Sequence, residues 1–148
     1  MSIAAHLSAE RMAVGHVTSW QEAVRLAMRP LVDAETVTTD YVDTVIDNVT
    51  KPGGTYMDLG FGFMLAHARP ESGVNKTSLA VLKLDAPVNL DDDPQHPIQV
   101  VIALAAVDSS THLETMADLA ALLSDEDHRN RILSATTSDE LHTSLAND

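Results

Sequence analysis

The run at residues 98–107, Ile-Gln-Val-Val-Ile-Ala-Leu-Ala-Ala-Val, constrains the fold of this chain more than any other segment. Apart from Gln99 it is continuously apolar and lacks the alternation of a strand with one wet face. Such a run reads as a β-strand covered on both sides, the environment of an α/β domain. It is far too short to span a bilayer, which takes about 20 apolar residues in a helix. Apolar runs at residues 56–66 and 78–84 are further strand candidates, and residues 11–17 read as a short strand. A polar loop at residues 86–97, with Asp91-Asp92-Asp93-Pro94, separates the last two apolar runs.

Helical signals fill the remainder. Ser19 has an N-cap's place with Glu22 three residues on, opening a helix that runs to about residues 30–33. Trp20, Val24, Ala27, Met28 and Leu31 share one face of it. A second helix starts near Thr38-Thr39-Asp40, carries Tyr41, Val45, Ile46 and Val49 on one side, and ends at Pro52-Gly53-Gly54. Residues 110–124, 125–135 and 138–145 read as three more helices. Thr111 with Glu114 has capping-box spacing, and Ser124 with Asp127 and Ser138 with Leu141 mark the later boundaries. No internal repeat or linker interrupts the chain, so the expectation is one α/β domain over residues 1–148.

Composition narrows the function. Aromatics are 3% against 45% hydrophobic residues, so the core is aliphatic. The absence of cysteine excludes disulfides, thiolate nucleophiles and Cys-ligated zinc. A net charge of −13 with only nine Lys and Arg argues against nucleic acid and against an anionic membrane surface. The first 20 residues show no signal-peptide pattern, which makes a cytoplasmic location the expectation.

The candidate chemistry lies with two of the seven histidines. His67 ends an apolar run, in Phe61-Gly62-Phe63-Met64-Leu65-Ala66-His67-Ala68-Arg69-Pro70-Glu71, where α/β strands open onto a crevice. His112 lies just after the strongest strand, in the first turn of a helix whose free N–H groups and dipole favour an anion. Each, taken alone, also reads as a structural histidine. His6, His96, His128 and His142 lie in polar surroundings and read as surface residues, and His16 as a core-edge residue. A dinucleotide fingerprint, a phosphate loop and a serine-hydrolase elbow are all missing. No His-x-x-x-His or Glu-x-x-His spacing points to a metal.

Three segments in order then carry a resemblance: residues 41–67 into His-Ala-Arg-Pro-Glu, residues 97–112 through Asp108-Ser109-Ser110-Thr111 to His112, and residues 119–141. Over roughly residues 10–146 the chain resembles the mannitol/fructose-type IIA components of the bacterial sugar phosphotransferase system, in their ascorbate-like branch. The resemblance implies a mixed, mostly aliphatic sheet covered by helices on both faces. It implies a phosphocarrier in which His67 accepts a phosphoryl group from HPr, through Nε2, and passes it to a cysteine of a separate IIB component. The membrane IIC component is served only indirectly. His112 matches the second histidine of the family, and Arg69 and Ser110 are expected to help hold the phosphoryl group. No cofactor, metal or nucleotide is implied, because the phosphate arrives already activated on nitrogen. Nitrogen-regulatory relatives, in which phosphorylation is a signal, supply the alternative. The oligomeric state stays open, a homodimer included.

Two departures stand out. Most relatives have proline directly before the reactive histidine, where this chain has Ala66. Many mannitol-type members have an arginine on the second helix, in the region of Asp47-Asn48-Val49 here. Finally, if the strands before His67 and His112 are sheet neighbours, their ring nitrogens should lie within about 8 Å, a gap that a phosphoryl group bridges with hydrogen bonds of about 3 Å on each side.

Overall fold

The computed structural model describes residues 11–146. In chain order it contains β1 (Met12–Gly15), α1 (Trp20–Asp33), α2 (Thr39–Thr50), β2 (Asp58–Gly60), β3 (Phe63–Ala66), β4 (Ser78–Asn89), β5 (Pro97–Ala105), α3 (Ser109–Leu123), α4 (Glu126–Ser134) and α5 (Ser138–Ala146). The strands form one mixed sheet in the order β1-β4-β5-β3-β2. β1 is parallel to β4, β4 antiparallel to β5, β5 parallel to β3, and β3 antiparallel to β2.

The apolar run at residues 98–107 is the central strand, and its side chains divide by parity. Val101, Ala103 and Ala105 join Met64, Ala66, Ala80 and Leu82 in a core completed by α1 and α2. Val100, Ile102 and Leu104 join Phe63, Leu65, Leu79 and Val81 in a second core completed by α3, α4 and α5. Period-two alternation with both sets buried is why this segment reads as continuously apolar. Pro97 begins the strand, where its missing N–H is tolerated.

Ser19 caps α1, accepting the Glu22 N–H at 3.1 Å, while the Glu22 carboxylate accepts the Thr18 N–H at 2.9 Å. Thr38 caps α2 in the same way through the Tyr41 N–H. Later boundaries differ from the expectations. α3 is capped by Asp108, which accepts the Thr111 N–H at 2.8 Å, not by a Thr111–Glu114 box. Asp125, not Ser124, caps α4, and Thr137, not Ser138, accepts the Glu140 N–H ahead of α5. Capping residues of like chemistry lie side by side at each junction, and spacing alone does not choose among neighbours.

Two strand expectations also change. The run at residues 56–66 is not one strand. A 3-10 turn at Gly54–Met57 precedes β2, and the positive φ angles of Gly60, Phe61 and Gly62 reverse the chain into β3. The polar stretch at residues 86–97 is strand at both ends and loop between them, since β4 runs to Asn89, β5 starts at Pro97 and, after an irregularity, Val88 pairs with Ile98 and Asn89 with Pro97. Backbone pairing at the end of β4 tolerates a polar sequence because most side chains there are exposed.

Among the histidines, His16 is exposed rather than at the core edge and meets Asp85 through Nδ1 at 2.9 Å. His128 is buried rather than solvated and pairs with Asp125 at 3.3 Å. His96 is paired with the mostly buried Asp58 at 2.9 Å. His142 is half-buried, and His6 lies outside the described residues. Among the described residues no helix is long and apolar enough to cross a membrane.

The turn after α2 sets the approach of β2 and β3. Gly53 takes the left-handed conformation with φ 80°. Gly54 then packs against the end of α2 so closely that a Cβ there would overlap the carbonyl oxygens of Asn48 and Val49. Gly54→Ala should therefore destabilise the protein by about 1–3 kcal/mol, as overpacking against rigid backbone does. Gly53→Ala meets no neighbour and costs only the left-handed penalty of about 1–2 kcal/mol, most of which Gly53→Asn should recover. Urea denaturation midpoints check this; an unshifted midpoint for Gly54→Ala would contradict the close approach.

Candidate phosphoryl-transfer site

Parallel pairing of β3 with β5 puts the two strand ends at the same edge of the sheet. Ala66 lies opposite Ala103 in register, so His67 leaves the sheet beside the segment that leads from β5 into α3. His112 stands in the first turn of α3, where its N–H closes the first helical bond to the Asp108 carbonyl at 3.1 Å. The two imidazole centroids are 5.2 Å apart with planes inclined by 48°. The expected juxtaposition of the two rings is thus present.

The His67 ring is oriented by its own strand. Nδ1 lies 2.8 Å from the Leu65 carbonyl oxygen. A carbonyl only accepts, so Nδ1 carries the proton and the neutral ring keeps its lone pair on Nε2. Tyr56 packs edge-on against the same ring, with centroids 5.7 Å apart and planes at 79°. His67 is 8% exposed. Burial is the largest influence on its pKa and pushes it below 6.5, the neighbouring His112 adds to the lowering, and the Leu65 carbonyl opposes both. Burial also lowers the His112 pKa. Both rings therefore favour the neutral form at pH 7, and a neutral His67 is a nucleophile.

The rings open onto a cleft of about 810 Å³ whose walls include Asn48, Tyr56, Arg69, Asp108, Ser109 and Leu113. Arg69 is an exposed residue of its rim. Ser109, not Ser110, lines the cleft; Ser110 is exposed in the first turn of α3. The Asp108 carboxylate, held below its usual pKa chiefly by the Thr111 N–H, stays ionised and engaged as a helix cap. Asn48 lines the cleft from the end of α2, and its Oδ1 accepts from Lys51 Nζ at 3.2 Å. Apolar side chains share the rim, with Tyr56, Val107 and Leu113 all exposed. Among the described residues there is no group of three or more His, Asp or Glu able to hold a metal.

Sequence reasoning did not single out Tyr56, Asn48 or Tyr41 for the site. Tyr41 was legible only as a core position of α2. Its hydroxyl in fact reaches the residue after His67, accepting the Ala68 N–H at 3.0 Å. No local pattern announces that contact, because the partners are 27 residues apart.

The chain is similar to known proteins over most of its length. The family model described as "Phosphoenolpyruvate-dependent sugar phosphotransferase system, EIIA 2" matches residues 6–148. The ascorbate-specific EIIA component of Escherichia coli is 33% identical over 124 residues, covering 83% of this chain and 80% of that protein. The solution structure of the mannitol-specific cryptic enzyme IIA of Escherichia coli superposes with a TM-score of 0.90 at 27% identity, covering all of both chains. The mannitol IIA of Escherichia coli, solved in complex with phosphorylated mannitol IIB, gives 0.81 at 26% identity, over 96% of this chain and 98% of that one. With a family model matched over nearly the whole chain and relatives a third identical, this chain belongs to the type-2 EIIA family of the phosphoenolpyruvate-dependent sugar phosphotransferase system.

Proposed function

We propose that His67 is the phospho-accepting residue of this sugar-uptake phosphocarrier and that His112 stabilises the transferred group. The observation that carries the reading is the bond from His67 Nδ1–H to the Leu65 carbonyl, which leaves the lone pair on Nε2 free for attack. The donor is phospho-HPr and the acceptor a IIB component, in the cytoplasm. A complex of the mannitol relative with its phosphorylated IIB supports the second partner. The ascorbate-specific relatives favour ascorbate or a related carbohydrate as the transported substrate. They also favour transport over the signalling alternative.

In the step itself the Nε2 lone pair forms the new N–P bond as the P–N bond to the HPr histidine breaks, and the electron pair returns to that leaving imidazole. The His67 ring keeps its Nδ1 proton and gains cationic character. The Leu65 carbonyl bond strengthens as that charge develops, so it favours the product and the transition state leading to it. Phosphoryl transfer has a loose, in-line transition state, so positioning and charge stabilisation do most of the catalysis. Here the donors are the amides at the start of α3, a hydrogen bond from His112, and Arg69 from the rim. Attack by the IIB cysteine thiolate then breaks the N–P bond and returns the electron pair to Nε2. The apolar side chains of Tyr56, Val107 and Leu113 on the rim suit a small interface that forms and releases quickly.

Three outcomes test the reading. His67→Ala should take up no label from phospho-HPr, whereas the wild-type label should be acid-labile and base-stable, as a phosphoramidate is. A variant that labels like the wild type would remove His67 from the reaction. His112→Ala should still be phosphorylated but with a single-turnover rate lower by about 10²–10³, the usual effect of losing one preorganised donor. An unchanged rate would make His112 a helix-start residue only. For pH, the sign follows from the lowered pKa: the nucleophilic form persists below pH 6.5, so the His67 ring should titrate by NMR with a midpoint below 6.5. In His112→Ala that midpoint should rise, since a neighbouring charge is gone and water gains access. A midpoint at or above 6.5 in the wild type would contradict the buried, neutral ring.

A further inference from the structure

Tyr41 is fully buried, yet its hydroxyl lies among backbone atoms of the two strand ends that make the site. It accepts the Ala68 N–H at 3.0 Å and is 2.8 Å from the Leu104 carbonyl oxygen. The Ala68 carbonyl is farther, at 3.3 Å. A phenol has one proton to donate, and the shorter contact assigns it to Leu104. Burial pushes the Tyr41 pKa up to about 12, so the proton is present at any working pH.

The register shows what this hydroxyl does. The β3–β5 ladder ends with Ala66 opposite Ala103, which places His67 opposite Leu104. The Tyr41 hydroxyl is thus interposed between the β5 carbonyl opposite His67 and the first backbone N–H beyond it. It holds the strands apart by the width of one oxygen while keeping them joined. That lets His67 leave the sheet toward α3 with its backbone still anchored to the strand from which His112 follows.

Tyr41 is itself fixed from both sides. Its N–H is held by the Thr38 cap at 3.2 Å, and the Thr38 N–H donates to the Gly73 carbonyl at 3.0 Å. Gly73 packs so closely that a Cβ there would overlap the Thr38 hydroxyl and come within 3.2 Å of Tyr41 Cβ. Both ends of the loop at residues 67–73 therefore close onto the start of α2. Ala66 gives no covalent restraint on the backbone before His67, where a proline would fix φ, and the hydroxyl bridge supplies restraint from the other side.

We propose that Tyr41 is a positioning residue for phosphoryl transfer, its hydroxyl setting the place of His67 relative to the β5–α3 segment that carries His112. The inference rests on the reading of His67 as the phosphoryl acceptor. Side-chain groups that hold a nucleophile to within a fraction of an ångström act on the rate at saturation more than on docking, and a displacement of about 1 Å is worth up to about 10²-fold.

The test is Tyr41→Phe, which keeps the buried ring and removes only the oxygen. Single-turnover phosphorylation across a range of phospho-HPr concentrations should show the saturating rate reduced about 10- to 100-fold, with the half-saturating concentration unchanged. The NMR titration midpoint of His67 should move up toward 6.5 as the loosened loop admits water. Val24→Ala, in the same core layer but away from the site, serves as a destabilised control and should keep the wild-type rate well below its melting temperature. A wild-type saturating rate in Tyr41→Phe, with the His67 titration unmoved, would reduce Tyr41 to a packing residue. If Tyr41→Phe does not fold, amide exchange in the wild type decides: the Ala68 N–H should be strongly protected, and exchange at the rate of an open loop would overturn the bridge. Failure of the wild type to accept phosphate from HPr would instead reject the function proposed for His67, while the titration and exchange measurements would still judge the positioning role.

Discussion

Everything at this site depends on the parallel register of β3 and β5. Side chains of both strands are buried on two faces, so a slip by one residue would move Met64 and Ala66 from one core to the other and exchange Val101 for Ile102. The register is therefore fixed by two independent cores at once. One consequence is chemical: His67 and the start of α3 emerge side by side, and a 5.2 Å ring separation follows without any direct bond between the rings. A second consequence is that the Leu65 carbonyl, at the end of the buried ladder, has a fixed direction from which to hold the His67 ring.

The order of the connections also explains which parts of the sequence were informative. The central strand, α1 with its Ser19 cap and the start of α2 near Thr38 were legible because each is set by local chemistry: burial on both faces, or a side chain able to reach an N–H three residues on. The caps of α3, α4 and α5 shifted by one to three residues, since Asp108, Asp125 and Thr137 stand beside other residues able to cap. The β2–β3 reversal was hidden because its middle residue, Phe61, holds a φ of 60° that nothing in its own side chain announces. Glycines on both sides, Gly60 and Gly62, were the available signal.

At the site the same division holds. His67 and His112 could be singled out from strand-end and helix-start positions, and the resemblance ordered them into one reaction. Arg69 falls on the cleft rim, but Ser109 rather than Ser110 lines the cleft, and α3 begins at Ser109, one residue before its expected start. Tyr41, Tyr56 and Asn48 enter from α2 and the turn after it. Their contribution depends on tertiary closure across the sheet edge, and a pattern read along the chain contains no trace of it. Asn48 lies in the region where many mannitol-type relatives carry an arginine, so this departure falls inside the cleft.

A cleft with few cations suits a carrier. Tight charge pairing of the phosphoryl group would stabilise the phosphorylated intermediate as well as the transition state, and uniform stabilisation of that kind slows the onward step. In the proposed transfer the phosphoryl group would meet partial donors inside the cleft, the helix N–H groups and His112, with the cation Arg69 only at its exposed rim. In the transfer proposed for His67, the ring's gain of cationic character would be met by the Leu65 carbonyl, 2.8 Å from Nδ1, and that interaction would weaken again as the phosphoryl group departs. In that proposal stabilisation follows mainly the state of the His67 ring, because the one countercharge named, Arg69, stands at the exposed rim where solvent screens it. The chain's net charge of −13 works the same way, by adding a background potential that disfavours retention of another anion. A site of this design favours passage over storage, which is the property that separates a phosphocarrier from a phosphate-binding protein.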